Sequence, residues 1–172
     1  MGDHSSAGFR TGPVRAVVRA GSSDTTYIRV GSGDSVTLVV ADHDAPLSQT
    51  LFEGLGTRFR VIAPVTRPEA SDFNQWLASF LDGLGITTTN LIVHEGLAAN
   101  AIAFALLEAG RIDRLVIIAE QGLDGAPELG GALDDPADHA SHPLLIVGAS
   151  ESADDVTERV ARFLQDSGAR LP

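Results

Sequence analysis

His43 stands between Asp42 and Asp44, and Glu95, Glu120 and Glu151 each lie one to four residues past a short apolar run. A histidine facing one or two carboxylates can exchange protons with a substrate as general acid and base. Joined by Asp42 or Asp44, the same groups could hold a divalent cation. The competing reading of Asp42-His43-Asp44-Ala45-Pro46 is an ordinary polar turn. Glu95 has two readings of its own: a reactive carboxylate, or a residue at a helix N-terminus stabilised by the dipole and unpaired amides there. His139 and His142 flank the start of a late apolar run. No His-Glu-x-x-His spacing and no Gly-x-x-x-x-Gly-Lys phosphate loop occurs, and Gly31-x-Gly33 leads into a strand pattern, so a dinucleotide reading fails. Neither a metal nor a cofactor is expected.

The elements that must position these groups follow from the apolar pattern. Val14–Ala20 and Thr26–Val30 read as two strands around the turn Gly21-Ser22-Ser23-Asp24. After Gly31-Ser32-Gly33-Asp34, Val36–Ala41 is a continuous apolar run, as in a strand buried on both faces. Helix and strand then alternate. Leu47–Leu55 is a short helix and Phe59–Ala63 a strand. Asp72 is placed to cap a helix carrying Phe73, Trp76, Leu77, Phe80 and Leu81. Asn90–Val93 is a strand, Gly96–Ala109 an Ala-rich helix closed by Gly110, Arg114–Ala119 and Leu144–Val147 are strands, and Asp154–Gln165 is the final helix. Such alternation predicts a mostly parallel sheet of about seven strands, the first two antiparallel, with helices on both faces. Ligands of open sheets of this kind bind at the carboxyl ends of the strands. Asp42, His43, His94, Glu95, Gly96, Glu120 and Glu151 fall there.

Composition bounds the partners. The 172 residues carry 12 Lys+Arg against 23 Asp+Glu, a formal charge of −11, and every basic residue is Arg. Phosphate backbones and anionic lipid surfaces are repelled by such a chain, so neither nucleic acid nor membrane is expected as a partner. With no Cys, disulfides, thiolate metal sites and a Cys nucleophile are excluded. No apolar run approaches a membrane span, and the start of the chain lacks a signal-like apolar core, so a cytoplasmic location is expected. Residues 1–12 read as a flexible tail, and 13–172 as a single domain in which 121–141 form an irregular loop.

Two stretches resemble the α/β-hydrolase superfamily. One runs from Gly31-Ser32-Gly33 through Val36–Ala41 to Phe59-Arg60-Val61-Ile62-Ala63-Pro64. The other runs from Leu91-Ile92-Val93-His94-Glu95-Gly96-Leu97 through a helix to Gly110–Ala119, and Pro143–Gly148 is similar to a later strand. The resemblance implies a three-layer core with its lid and last strand reduced or absent. It also implies a strand–elbow–helix over 93–97, where the superfamily reads Gly-x-Ser-x-Gly around a strained nucleophile. Here Val93, His94, Glu95, Gly96 and Leu97 fill those positions. Glu95 takes the nucleophile's place and the flanking glycines are lost, so either the turn relaxes or Leu97 imposes a different backbone. By the same resemblance His94 is a structural histidine.

The oxyanion loop, usually beginning His-Gly, reads Val40-Ala41-Asp42, and Val65 replaces an Asp after the fourth strand. Gly148-Ala149-Ser150-Glu151 offers Glu151 as a surviving acid, while the strand and loop carrying the catalytic His are missing. The resemblance with these departures implies a protein without the Ser-His-acid triad that binds a small ligand or a protein partner. The alternative is a hydrolase-like or acid–base enzyme using Glu95 with His43 and Glu151, Glu95 acting as base or carboxylate nucleophile. Without its last strand the seventh would be an exposed edge, which either the 121–141 loop or a second copy of the chain would cover.

Overall fold

The structure, a computed structural model, describes residues 12–41, 45–66, 68–119, 143–149 and 151–166. Asp42, His43, Asp44, Glu120, His139 and His142 lie outside this set, as do the 121–141 loop and all but the last residue of the expected tail.

Strands β1 (Val14–Ala20), β2 (Ser23–Val30), β3 (Val36–Val40), β4 (Arg60–Pro64), β5 (Thr89–His94), β6 (Ile112–Ala119) and β7 (Leu144–Gly148) form one seven-stranded sheet. Their spatial order is β1-β2-β4-β3-β5-β6-β7. β1 pairs antiparallel with β2, and β2 antiparallel with β4; the remaining pairs are parallel. The helices are α1 (Pro46–Leu55), α2 (Phe73–Gly83), α3 (Ala98–Leu107) and α4 (Ala153–Gln165).

Side chains alternate across the pleat, so each continuous apolar strand feeds two cores. Leu38, Val40, Ile62, Leu91, Val93, Leu115 and Ile117 point to the face covered by α2 and α3. Val39, Val61, Ala63, Ile92, Val116 and Ile118 point to the other, covered by α1 and α4. On the first face Phe80 stacks on Trp76 with ring centroids 4.9 Å apart and meets the edge of Tyr27 at 6.0 Å. That aromatic group ties α2 to the β1–β2 hairpin. On the second, the Arg114 guanidinium lies 5.4 Å from the centre of the Phe163 ring, burying a charged side chain against an aromatic face.

Several sequence expectations shift. β2 begins at Ser23 rather than Thr26, pairing Ala20 with Ser23 across the two-residue loop Gly21-Ser22. Asp72 does occupy the residue before α2, but its side chain makes no capping hydrogen bond, because a 3-10 turn over Ala70–Asp72 has already wound the backbone there. β6 starts two residues early at Ile112, where Thr89 N–H bonding to Arg111 C=O helps align it with β5. The helix expected from Gly96 to Ala109 is shorter. It is preceded by a 3-10 turn over Glu95–Leu97 and ends at Leu107, which is 78% exposed.

Candidate functional site

Parallel register aligns the carboxyl ends of the central strands. Val40 lies beside Val93, His94 beside Ile118, and Ile118 beside Val147. His94 and Glu95 thus emerge at the middle of the carboxyl edge, between the ends of β3 and β6. Glu151 emerges after β7, separated from β5 by β6, which is two strand spacings or roughly 10 Å.

The chain leaves β5 through a tight local device. The Gly96 N–H donates to His94 Nδ1 at 3.1 Å, so the imidazole caps the 3-10 turn of Glu95–Leu97. That bond requires Nδ1 without a proton, which leaves the ring proton on Nε2. It also explains the small residue at 96. A Cβ there would stand 2.8 Å from His94 Cε1 and 3.1 Å from Nδ1, so any side chain must push the ring off its acceptor position. No described non-glycine residue has positive φ, so Glu95 is held in a relaxed turn. Of the two outcomes open at the sequence level, relaxation of the turn is the one observed. Gly96→Ala is therefore expected to cost about 1 kcal/mol through the lost cap, measured by urea denaturation; His94→Ala should cost a similar amount, and the double variant little more than either alone.

Glu95 is half-buried, Gly96 exposed and Leu97 buried beneath them. The amide of Asn100 in α3 donates to the Ala70 carbonyl at 2.9 Å, fastening α3 to the turn before α2.

Glu151 is engaged in the next connection. Its Oε1 accepts from Arg159 Nη2 at 2.8 Å and from the Gly148 N–H at 3.1 Å, while its own N–H donates to Gly148 C=O at 3.2 Å. The carboxylate so closes the turn from β7 into α4. The Arg159 hydrogen bond first, and the Gly148 amide second, hold its carboxyl below its ordinary value of 4.5. A carboxyl with a lower pKa folded than unfolded favours the folded state above the unfolded pKa. That contribution fades as pH falls from about 4.5 through the lower native value. Glu151→Gln should accordingly flatten the acid limb of a melting-temperature profile below pH about 4.5, and converge with the parent at still lower pH. Sequence spacing gives no signal for the Glu151–Arg159 pair: Glu151 lies before α4 and Arg159 within it, so the turn into the helix sets their contact.

Near the carboxyl edge on the α1 side is a hollow of about 240 Å³ lined by Pro13, Ile28, Ser48, Gln49, Phe52 and Ala63. Its lining is mostly apolar, with Ser48 and Gln49 from the first turn of α1. Among the described residues no helix is long and apolar enough to cross a membrane.

A mostly parallel sheet covered on both faces, led by an antiparallel strand pair and ordered as above, defines the class: an open α/β fold, in which ligands bind at the carboxyl ends of the strands. Within that class the chain has the α/β-hydrolase fold. Solved structures similar to it include a predicted CIB-like hydrolase from Thermoplasma acidophilum, with TM-score 0.64 and 11% identity over 89% of this chain and 98% of that one. A carboxylesterase from Bacillus subtilis matches with TM-score 0.52 and 19% identity over 62% of this chain and 43% of that one. A loop variant of a haloalkane dehalogenase from Bradyrhizobium elkanii matches with TM-score 0.53 and 16% identity, over 62% and 40%. The chain thus spans about two fifths of the length of the latter two and nearly all of the first. At such identities the likeness is one of fold. No protein-family model and no curated protein matches the sequence.

Proposed function

We propose that this chain is a non-hydrolytic protein built on the α/β-hydrolase fold, binding a small organic ligand at the strand-end crevice through Glu95, His94 and Gly96. The observation that carries the reading is the β5–α3 connection. The position matching the superfamily's nucleophile holds a carboxylate, on a relaxed 3-10 turn pinned by His94 Nδ1. A strained elbow aims its nucleophile at the substrate and at oxyanion donors together, and relaxing it gives up that aim. The Arg159-bound state of Glu151 supports the same reading, since a carboxylate already committed to a guanidinium is poorly placed to orient a histidine.

The test is hydrolysis of a panel of activated short- and medium-chain esters by the purified chain, beside Glu95→Gln. The expected result is no turnover above buffer for either protein, with both folded to the same melting temperature. Turnover that disappears in Glu95→Gln would overturn the reading. If it also disappears in His43→Ala and Glu151→Gln, it would establish the acid–base group of the alternative.

A further inference from the structure

At the opposite edge of the sheet lies a hollow of about 280 Å³, with Val14, Arg29, Ser32 and Arg60 in its lining. Arg60 opens β4 at the amino edge of the parallel strands. Arg29 stands near the end of β2, which runs the other way, and pairs with Ile62. Ile62 and Arg60 share a face of β4, so the two arginines are diagonal neighbours on one side of the sheet, with Cα atoms about 7 Å apart. Val14, opposite Arg29 on β1, shares that face.

Two like charges at this spacing repel one another, and nothing described offsets them. In a chain with 23 acidic residues against 12 basic ones, Arg58, Arg111, Arg114 and Arg159 each have a carboxylate within 4 Å. Among the described residues Arg15, Arg19, Arg29, Arg60 and Arg162 have none, and of these Arg29 and Arg60 line the hollow together. Among the described residues the Arg60 side chain makes one hydrogen bond, from Nε to the Gly33 carbonyl at 3.4 Å, and its terminal amino groups make none.

We infer that this hollow is an anion site for a phosphorylated small molecule, held between the Arg29 and Arg60 guanidinium groups. An anion between them turns the repulsion into two charge-assisted contacts. A phosphomonoester has about two negative charges and three terminal oxygens, enough for both forks; the two oxygens of one carboxylate satisfy a single fork. The volume exceeds that of the bare ion, and Val14 supplies an apolar wall for the organic part.

The experiment is thermal unfolding of the full chain with inorganic phosphate, phenyl phosphate, benzoate and chloride at matched ionic strength. It is repeated on Arg29→Gln, Arg60→Gln and Arg15→Gln, the last an exposed arginine of β1 whose side chain points to the other face. At about ten times Kd, phenyl phosphate is expected to raise the melting temperature by about 4 °C. Arg29→Gln, a change at an exposed position, should weaken binding about tenfold or more, and Arg15→Gln should leave it unchanged. An equal rise with chloride, an equal rise with benzoate, no rise at all, or full retention in Arg29→Gln would each overturn the assignment. Since ester turnover is not read, the outcome is independent of the role proposed for the strand-end crevice.

Discussion

Phe80→Ala is expected to lower the unfolding free energy by about 3–5 kcal/mol, the range for emptying a buried aromatic site. Phe80 is fully buried in α2, stacked on Trp76 and abutting Tyr27. Its ring is the point where α2 meets the β1–β2 hairpin, an element tied to the rest of the sheet on one side alone through β4. The site cannot readily collapse, because Tyr27 is fixed by pairing with Pro64 and Trp76 by its Nε1–H bond to Thr25 at 3.4 Å. Against a total stability of about 5–15 kcal/mol for a domain, the loss is roughly a fifth or more. Urea denaturation followed by the fluorescence of the single Trp, with circular dichroism as a second probe, checks it. Coincident transitions shifted to lower urea with unchanged slope are expected. A loss below about 1 kcal/mol would mean that neighbouring side chains refill the space.

The fold was legible because its strongest signal, apolar runs at β3, β4, β5 and β6 with helical spacing between, is a direct record of burial on two faces. Strand boundaries shifted by one to three residues where pairing extends into polar sequence, as at Ser23 and Asp113. The ends of α3 were less legible. Ala-rich sequence is compatible with helix well past Leu107, and its apolar composition predicted burial, yet Leu106 and Leu107 lie exposed. Burial of a helix depends on what is laid over it, which its own sequence does not record.

The candidate site divides in the same way. That Glu95 and His94 reach the carboxyl edge follows from strand register, and the sequence pattern sufficed for it. How the chain turns after them is not written in that pattern, because a single side-chain bond, the Gly96 N–H to His94 Nδ1, decides between a relaxed and a strained backbone. Similarly, Glu151 was legible as a carboxylate near β7 but not as the partner of Arg159. The Arg29–Arg60 pair was invisible for a topological reason: only the order β2-β4, with β3 inserted elsewhere, makes neighbours of residues whose segments are separated by a strand and a helix.

Gly31→Ala is expected to cost about 3 kcal/mol or more, well beyond what its dihedral angle alone would charge. Gly31 has φ +76°, and a Cβ built on it would overlap the carbonyl oxygens of Phe59 and Gly56. Both are backbone atoms of the turn leading from α1 into β4, so no side-chain rotation relieves the contact; the turn itself must move. Gly110 isolates the other contribution. It has φ +86° with open space around its missing Cβ, so Gly110→Ala should cost only the left-handed penalty of about 1–2 kcal/mol. The difference between the two variants in urea denaturation therefore measures the close approach of Gly31 to the α1–β4 turn. Equal costs would show that the turn yields freely. A large excess at Gly31 would also reach the arginine hollow, since Gly31 lines it and the displaced turn runs directly into Arg60. On the anion assignment, the phenyl phosphate-dependent rise in melting temperature should shrink in Gly31→Ala while remaining intact in Gly110→Ala, for Gly110 lies between α3 and β6 and is not part of the hollow's lining.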